Sequence, residues 1–510
     1  MQKFLMKYLF IASALLVIYF VLHELNANYG LVSIDVIFKL TLRYLLVSVV
    51  LNFIFFLLFR NWMQTGFMAA LAMMFYLFFG AMHDGLKSVV NNSFLGSHTF
   101  MFLVIAVIML ATIIMVKKFF KPGHSIYSFI VLLLLILCCW EIVQTVINVI
   151  SHREKANNLS QPYLQLTSST DTMKIKKPDI FFIVFDSYAS SKSLFNDFNY
   201  KNPLDSILIA KGFFISRNSR SNYPLTPFSI ASTFNMNYLD PGLAGREATA
   251  RLMLQGSSTI YHSQLPQFLN QLNYKIDNFS TFNIENHPAR VKAYFDELSE
   301  KLIDGQTLWG RFNTYLRWNF LQKDTSGKNA PAALYKRRED FIKNYIRENL
   351  NGLDSIGQSR DSVPHFVYCH VMLPHEPYLF QPNGAFQPRS LYYDNSDPRK
   401  KFLEQTIYTN SIIRNLLDQL IHDRGRPYVV IIEGDHGFRD FENRSEKNKV
   451  FENLNAYYFS DRDYSALYDG ISPVNSFRVV LNKYFGRRLP LLTDTSIYIR
   501  DPSFNFEKKK

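Results

Sequence analysis

Three cysteines in 510 residues are too few for a disulfide framework. Cys138 and Cys139 share one apolar run and Cys369 stands alone in the later, more polar part. No pair can form within that part, and no Cys-x-x-Cys zinc pattern occurs, so cysteine says nothing about the redox compartment. A basic face interleaved with aromatics is also missing. The net charge of +13 is spread over scattered pairs and the terminal Lys508-Lys509-Lys510. That pattern argues against nucleic acid as a partner and fits attraction to anionic lipid or phosphate groups. Internal repeats and low-complexity tracts are absent, which excludes solenoids and disordered scaffolds.

The first third of the chain is poor in charge and crowded with Leu, Ile, Phe, Val and Met. Five apolar runs precede residue 151: Tyr8–Leu22, Tyr44–Phe59, Phe67–Met82, Thr99–Val116 and Ile126–Ile150. Several have an apolar centre shorter than the ~20 residues of a spanning helix, so flanking residues must complete them. Five in succession predict a transmembrane domain of five helices over residues 1–150. No small-x-small cleavage site follows the first run, so it is expected to stay as a span. Lys3, Lys7, Arg60, Lys117, Lys118 and Lys121 fall on one side, against Lys39, Arg43 and Lys87 on the other. This bias predicts a cytoplasmic N-terminus and places everything after Ile150 outside the cytoplasm. The spans show no broken-helix pattern, which disfavours a transporter.

Residues 151–178 are polar and aperiodic, the composition of a tether with a reach of about 30 Å if flexible. From residue 179 to 510 the pattern changes again. Asp179–Phe185 is a continuous apolar run, as expected of a strand buried on both faces of a parallel sheet. Phe213–Ile215, Phe366–Cys369, Tyr428–Ile432 and Ala456–Phe459 are further strand candidates. Helical patterns at Arg337–Leu350, Phe402–Ile421 and Val474–Phe485 alternate with them, which predicts an α/β domain covered on both faces.

Candidate chemistry lies at the ends of these elements, where open α/β sheets bind ligands. Asp186 follows the first strand, and Glu433, Asp435 and His436 follow Tyr428–Ile432. If both strands are central and parallel, two carboxylates and an imidazole meet at one edge, a donor set suited to Zn²⁺ or Mn²⁺. Thr226-Pro227 opens an apolar run to Phe234. One reading is a threonine N-cap with proline at the first helical position. The other is a nucleophile at a helix start, where free N–H groups favour phosphate and a metal would stabilise the alkoxide. His375, in Pro374-His375-Glu376-Pro377-Tyr378, can bind a phosphoryl oxygen or protonate a leaving group. His365 and His370 lie nearer the strand and read as structural; His262, His287 and His422 have no supporting pattern. Gly437 after Asp435-His436 reads as a loop glycine that supplies a positive φ. Arg217 and Arg220 precede the Thr226 loop and are candidates for phosphate binding.

Ile183-Val184-Phe185-Asp186, the Thr226 segment, Pro374–Tyr378 and Gly434-Asp435-His436-Gly437 together resemble the sulfatase-like branch of the alkaline phosphatase superfamily. With five spans in front, the layout is similar to lipoteichoic acid synthases and lipid A phosphoethanolamine transferases. The resemblance implies an alkaline-phosphatase-like α/β sandwich, one metal site of Asp186, Thr226, Asp435 and His436, Thr226 as nucleophile and His375 as substrate-binding histidine. Relatives with a membrane domain carry glutamate where Asp186 stands. Thr226-Pro227-Phe228-Ser229 lacks the oxidisable residue and the arginine of the Cys/Ser-x-Pro-x-Arg motif, so sulfate-ester hydrolysis is not expected. No histidine follows His436, which puts a complete second metal site in doubt. The soluble part lacks the disulfide-forming cysteines of many phosphoethanolamine transferases, which shifts the balance toward the lipoteichoic-acid-synthase type.

The expectation is a bacterial inner-membrane enzyme that moves a phosphoethanolamine or phosphoglycerol group from a phospholipid donor to an envelope glycan or lipid acceptor through a phospho-threonine. A phosphodiesterase or phosphatase, with water as acceptor, and a non-catalytic lipid- or glycan-binding membrane protein are the alternatives.

Overall fold

The structure is a computed structural model and describes residues 10–90, 94–119, 124–151, 158–160, 177–289, 293–313, 332–357, 362–388, 397–439, 441 and 444–501. Most of the expected tether lies outside them, as do Lys3, Lys7, Lys121 and Lys508–Lys510. Two compact units make up the chain: Met1–Asn157 with Phe295–Lys323, and Asn158–Tyr294 with Asp324–Lys510.

In the first unit, Ile34–Phe59, His98–Lys118 and Ser125–Ile150 are long and apolar enough to cross a membrane, which makes this a multi-pass membrane protein. Trp62–Leu77 and Phe79–Val89 count as a fourth only if taken together, because they meet at a 59° bend. The helix Ile11–Ala27 has 17 described residues, at the short end of the spanning range. Among the described residues, three of the expected five spans are long and apolar enough singly, or four with the bent pair. The bend also corrects the expectation of unbroken helices. Its cause is local: the Gly80 amide donates to the Gln306 carbonyl at 2.7 Å, and a β-carbon at Gly80 would meet Gln306 atoms at 2.6 Å. An amide taken from the i→i−4 ladder kinks a helix.

The second span begins ten residues before the predicted Tyr44, because Lys39 and Arg43 are neutralised within the unit. Glu300 binds both, at 2.6 and 2.9 Å, and Asp304 binds Arg43 at 2.7 Å. Ile303, fully buried, joins the same apolar cluster as Phe20 and Tyr44. On Ile34–Phe59, Ile34, Phe38, Leu42, Leu46 and Phe53 face outward, the apolar stripe of a lipid-facing helix.

The second unit is an α/β domain on one six-stranded mixed sheet of order β2-β6-β5-β1-β4-β3. The strands are β1 (Asp179–Phe185), β2 (Phe214–Ile215), β3 (Lys275–Phe279), β4 (His365–Val371), β5 (Tyr428–Glu433) and β6 (Asn455–Phe459). β3, β4, β1 and β5 run parallel, while β6 is antiparallel to both β5 and β2. β1 is central and every residue in it is buried, which is why it reads as an unbroken apolar run. One face carries Phe181, Ile183 and Phe185, packed with Ile413, Leu416 and Leu417 of the helix Pro398–Leu420. On the other, Phe182 and Tyr368 stack at 5.7 Å and meet Phe234 of the helix Thr226–Asn235 at 5.7 and 4.9 Å. Phe477, from the helix Pro473–Phe485, closes this cluster at 5.2 Å from Phe182. That packing holds the helix opening at Thr226 against the sheet.

Candidate active site

β1 and β5 are neighbours in parallel register, so the residues that follow them emerge at the same edge. Val184 pairs with His370 on one side and with Glu433 on the other. Two residues further on, the alternation of a strand brings Asp186 and Asp435 to the same side.

The three predicted ligands from these strand ends meet. His436 Nε2 lies 3.7 Å from Asp186 Oδ1 and 3.5 Å from Asp435 Oδ2. All three residues are almost wholly buried. Asp186 Oδ1, Asp435 Oδ2 and His436 Nε2 have no hydrogen-bond partner among the described residues. Three inward-facing polar atoms without partners are costly in a protein interior. A tetrahedral Zn²⁺ with arms of about 2.0–2.1 Å separates its ligands by roughly 3.4 Å, close to the spacings seen. The residues therefore fit a divalent ion.

The remaining atoms of the cluster are held in place. Asp435 Oδ1 accepts from the Ser187 amide at 2.9 Å, and Ser187 Oγ donates to the Gly437 carbonyl at 3.0 Å. Ser187 has φ 67°, a strained conformation of the kind found at functional sites. His436 Nδ1 donates to the Gly437 carbonyl at 2.8 Å, which leaves Nε2 as the bare lone pair a metal needs. Burial, opposed by Asp435, lowers the His436 pKa and keeps the ring neutral. Burial alone would raise Asp186, but the hydrogen bond from His370 Nε2 holds it below the usual carboxylate range. Glu433, also buried, is pushed well above its ordinary value by desolvation and then by Asp435.

His370, read from sequence as structural, stands behind Asp186. Its Nε2 lies 3.1 Å from Asp186 Oδ2 and its Nδ1 2.9 Å from the Tyr368 hydroxyl. Donor atoms of Asp186, His370 and Asp435 fall within 4.8 Å of one another. Because His370 Nε2 already bonds to Asp186, the open set is Asp186, Asp435 and His436, with His370 orienting the first. Nothing in the spacing of the sequence signals this; it needs the β1–β4 register.

His375 lies at the rim, with Nε2 4.0 Å from Asp186 Oδ1. Its Nδ1 donates to the Glu376 carbonyl and its Nε2 accepts from Arg439 Nη2. The ring is thus a neutral acceptor and the cation at the rim is Arg439, which also faces Asp501 at 3.5 Å and Glu376 at 3.8 Å and which the sequence reading did not single out. Arg220 is engaged elsewhere: it donates to the Asn448 carbonyl at 2.7 Å and faces Glu452 at 3.8 Å.

The helix at Thr226 differs from expectation by one position. Leu225, extended, is the N-cap residue, Thr226 is the first helical residue, and no side chain caps the helix. Thr226 is half-buried and its hydroxyl is not used as a cap. One turn on, Ser229 Oγ donates to the Asp435 carbonyl at 2.7 Å, which ties this helix start to the Asp435–His436 loop. Gly434 and Gly437 correct the other turn reading. Neither has positive φ; each lets backbone pass. A β-carbon would meet the Tyr188 carbonyl oxygen at 2.3 Å from Gly434, and that of Glu452 at 2.6 Å from Gly437.

A family model described as Sulfatase matches residues 178–475, more than half of the chain. The chain belongs to the Sulfatase family. It is a sulfatase-like enzyme in class, with the central sheet and strand-end cluster inside the matched region. Among solved structures it is similar to the C-terminal periplasmic domain of phosphoethanolamine transferase EptC from Campylobacter jejuni, at 11% identity and TM-score 0.36, over 64% of this chain and 95% of that one. The corresponding EptC domain from Escherichia coli, in complex with Zn, is 12% identical with TM-score 0.37 over 69% and 95%. The integral membrane lipooligosaccharide phosphoethanolamine transferase A from Neisseria meningitidis is 10% identical with TM-score 0.32 over 97% and 96%. No curated protein matches the chain.

Proposed function

We propose that this Sulfatase-family chain is a metal-dependent transferase that moves a phosphoryl-linked head group from a phospholipid to an envelope glycan or lipid. The observation that carries the proposal is the trio of buried, unpartnered atoms Asp186 Oδ1, Asp435 Oδ2 and His436 Nε2 at mutual reach of His436, beside a helix start with a spare threonine hydroxyl. In this reading the protein crosses a bacterial inner membrane five times within residues 1–150, and residues 151–178 tether an external catalytic domain of residues 179–510.

Asp186, Asp435, His436 and Thr226 would hold one Zn or Mn ion. When bound, such an ion lowers the pKa of a coordinated hydroxyl and offsets charge on phosphoryl oxygens. Thr226 Oγ attacks the phosphorus of the donor, and its proton leaves to solvent. The phosphorus–oxygen bond to the glyceride breaks, the glyceride oxygen takes a proton, and diacylglycerol departs into the bilayer. The head group, phosphoethanolamine or phosphoglycerol, stays on Thr226 as a phosphodiester. An acceptor hydroxyl then attacks the same phosphorus and gives up its proton, the bond from phosphorus to Thr226 Oγ breaks, and Oγ takes a proton to restore the threonine. Arg439, held by His375, supplies positive charge to the equatorial oxygens through both steps. His370 fixes the rotamer of Asp186.

The test uses the purified full chain in detergent with head-group-labelled phosphatidylethanolamine and phosphatidylglycerol. Thr226→Ala is expected to abolish turnover, and the wild type to yield a Thr226-linked head group by mass spectrometry. Transfer gives labelled glycan or lipid, whereas hydrolysis gives free head group. Normal turnover by Thr226→Ala would sink the assignment.

A further inference from the structure

By sequence position, residues 293–313 belong to the external catalytic domain, and they fall inside the stretch 178–475 that matches the family. Yet Phe295–Lys323 is part of the membrane unit. Within that unit the short helix Leu308–Arg311 is firmly held. Thr307 Oγ1 accepts from the Gly310 amide at 3.0 Å and closes its first turn. Arg311, mostly buried, donates to the Gly305 carbonyl and to Asp84 Oδ2, both at 2.6 Å, so its charge is offset where it sits. Leu308 packs on the cluster of Phe79, Met101 and Ile105. Phe312 meets Phe102 edge-on at 6.1 Å.

Trp309 points the other way. It is 48% exposed, and its ring stacks on Phe312 at 5.7 Å. The surroundings of this pair change sharply over a short distance. Asp84, to which Arg311 is tied, bonds to His83, and the His83 ring stacks on His98 at 3.9 Å. That is a polar layer at the first residue of the span His98–Lys118. Phe102, which Phe312 touches, is four residues further on, roughly 6 Å along the axis. From the next residue the span turns Leu103, Val107, Leu110 and Ile114 outward, at the spacing of one lipid-facing stripe. Trp309 and Phe312 therefore sit where the polar end of the span passes into its apolar surface.

An indole has an apolar body and one N–H donor, the combination that favours the boundary between head groups and acyl chains. The exposed ring is continuous with a surface that already faces lipid, so the occupant it calls for is that same bilayer. We infer that Leu308–Phe312 is an interfacial anchor, with Trp309 seated at the head-group boundary of the membrane that His98–Lys118 crosses. A piece of the family's matched region thus touches phospholipid directly. The inference needs only a unit that spans a membrane and does not rest on the transfer reading.

The experiment labels the full chain with fluorotryptophan and places it in phosphatidylcholine nanodiscs. Trp309 is assigned by the fluorine resonance lost in Trp309→Phe, so the measurement itself is made on the wild-type fold. Trp140, 60% exposed on the span Ser125–Ile150, is the internal reference for contact with acyl chains. Three relaxation agents are compared: lipid spin-labelled near the glycerol end of its chain, lipid spin-labelled at the chain terminus, and a gadolinium chelate in water. The first should broaden Trp309 at least threefold more than either of the others. Stronger broadening by the chelate would place the ring in water, and stronger broadening by the terminal label would place it in the bilayer centre. Broadening by none of the three, with Trp140 responding normally, would mean that protein covers the ring. Each of these results would overturn the inference. No turnover is measured, so failure here and failure of the Thr226 chemistry are read separately.

Discussion

His370→Phe removes two hydrogen bonds and little volume. The ring is replaced by a ring, and the edge contact with Phe282 at 6.0 Å can persist, so the cavity contribution is small. The cost falls on the partners. Asp186 Oδ2 loses its bond at 3.1 Å while Oδ1 has no partner among the described residues; a hydrogen bond to a charged group contributes about 1.5–3 kcal/mol. The buried Tyr368 hydroxyl loses its bond at 2.9 Å, about 1 kcal/mol more. The sum, about 2.5–4 kcal/mol, corresponds to a fall in melting temperature of roughly 4–6 °C for a domain of this size. A partner that orients a metal ligand is also worth about 10–100-fold in metal affinity. Melting of the detergent-solubilised chain in EDTA measures the first number, and competitive zinc titration the second. A shift under 2 °C with unchanged affinity would refute the argument that His370 orients Asp186. Complete loss of metal binding by a folded variant would refute it differently, by making His370 a ligand.

Zinc at 100 times its dissociation constant should stabilise the chain by about 2.7 kcal/mol. An Asp435→Asn, His436→Gln variant should melt at the same temperature with zinc and with EDTA. Gly434→Ala drives a β-carbon to within 2.3 Å of the Tyr188 carbonyl oxygen, so the strand end must move. A loss of about 1–3 kcal/mol and weaker zinc binding are expected by the same two measurements. Arg439→Ala should cut kcat/KM for a phosphodiester about 100-fold, the scale of a lost transition-state contact, while zinc binding stays unchanged.

What the sequence disclosed and what it hid divide along physical lines. β1 was legible because a strand buried on both faces has no polar alternation to blur it. β3, at the sheet edge, carries Lys275, Asp277 and Asn278 among its five residues and has no apolar run to betray it. The convergence of Asp186, Asp435 and His436 could be read because they sit at strand ends, where the topology of a parallel sheet brings distant segments together. His370 and Arg439 could not. One depends on inter-strand register and the other on the path of a loop. The second span was read short because Lys39 and Arg43 look too polar to be helix interior, and their counter-charges, Glu300 and Asp304, come some 260 residues later.

That return changes the physics of confinement. A single 28-residue linker would let the catalytic unit roam over about 30 Å. The compact units instead exchange the chain at three places, after Asn157, after Tyr294 and after Lys323. A phospholipid donor diffuses only in the plane of its bilayer, so an enzyme acting on it gains from raised effective concentration at that surface. The residues 298–313 anchored by Ile303, Glu300, Asp304 and the Gln306 carbonyl thus do more than fill a gap in the membrane unit. In the transfer proposed above, they give the chain a second anchorage in the membrane unit.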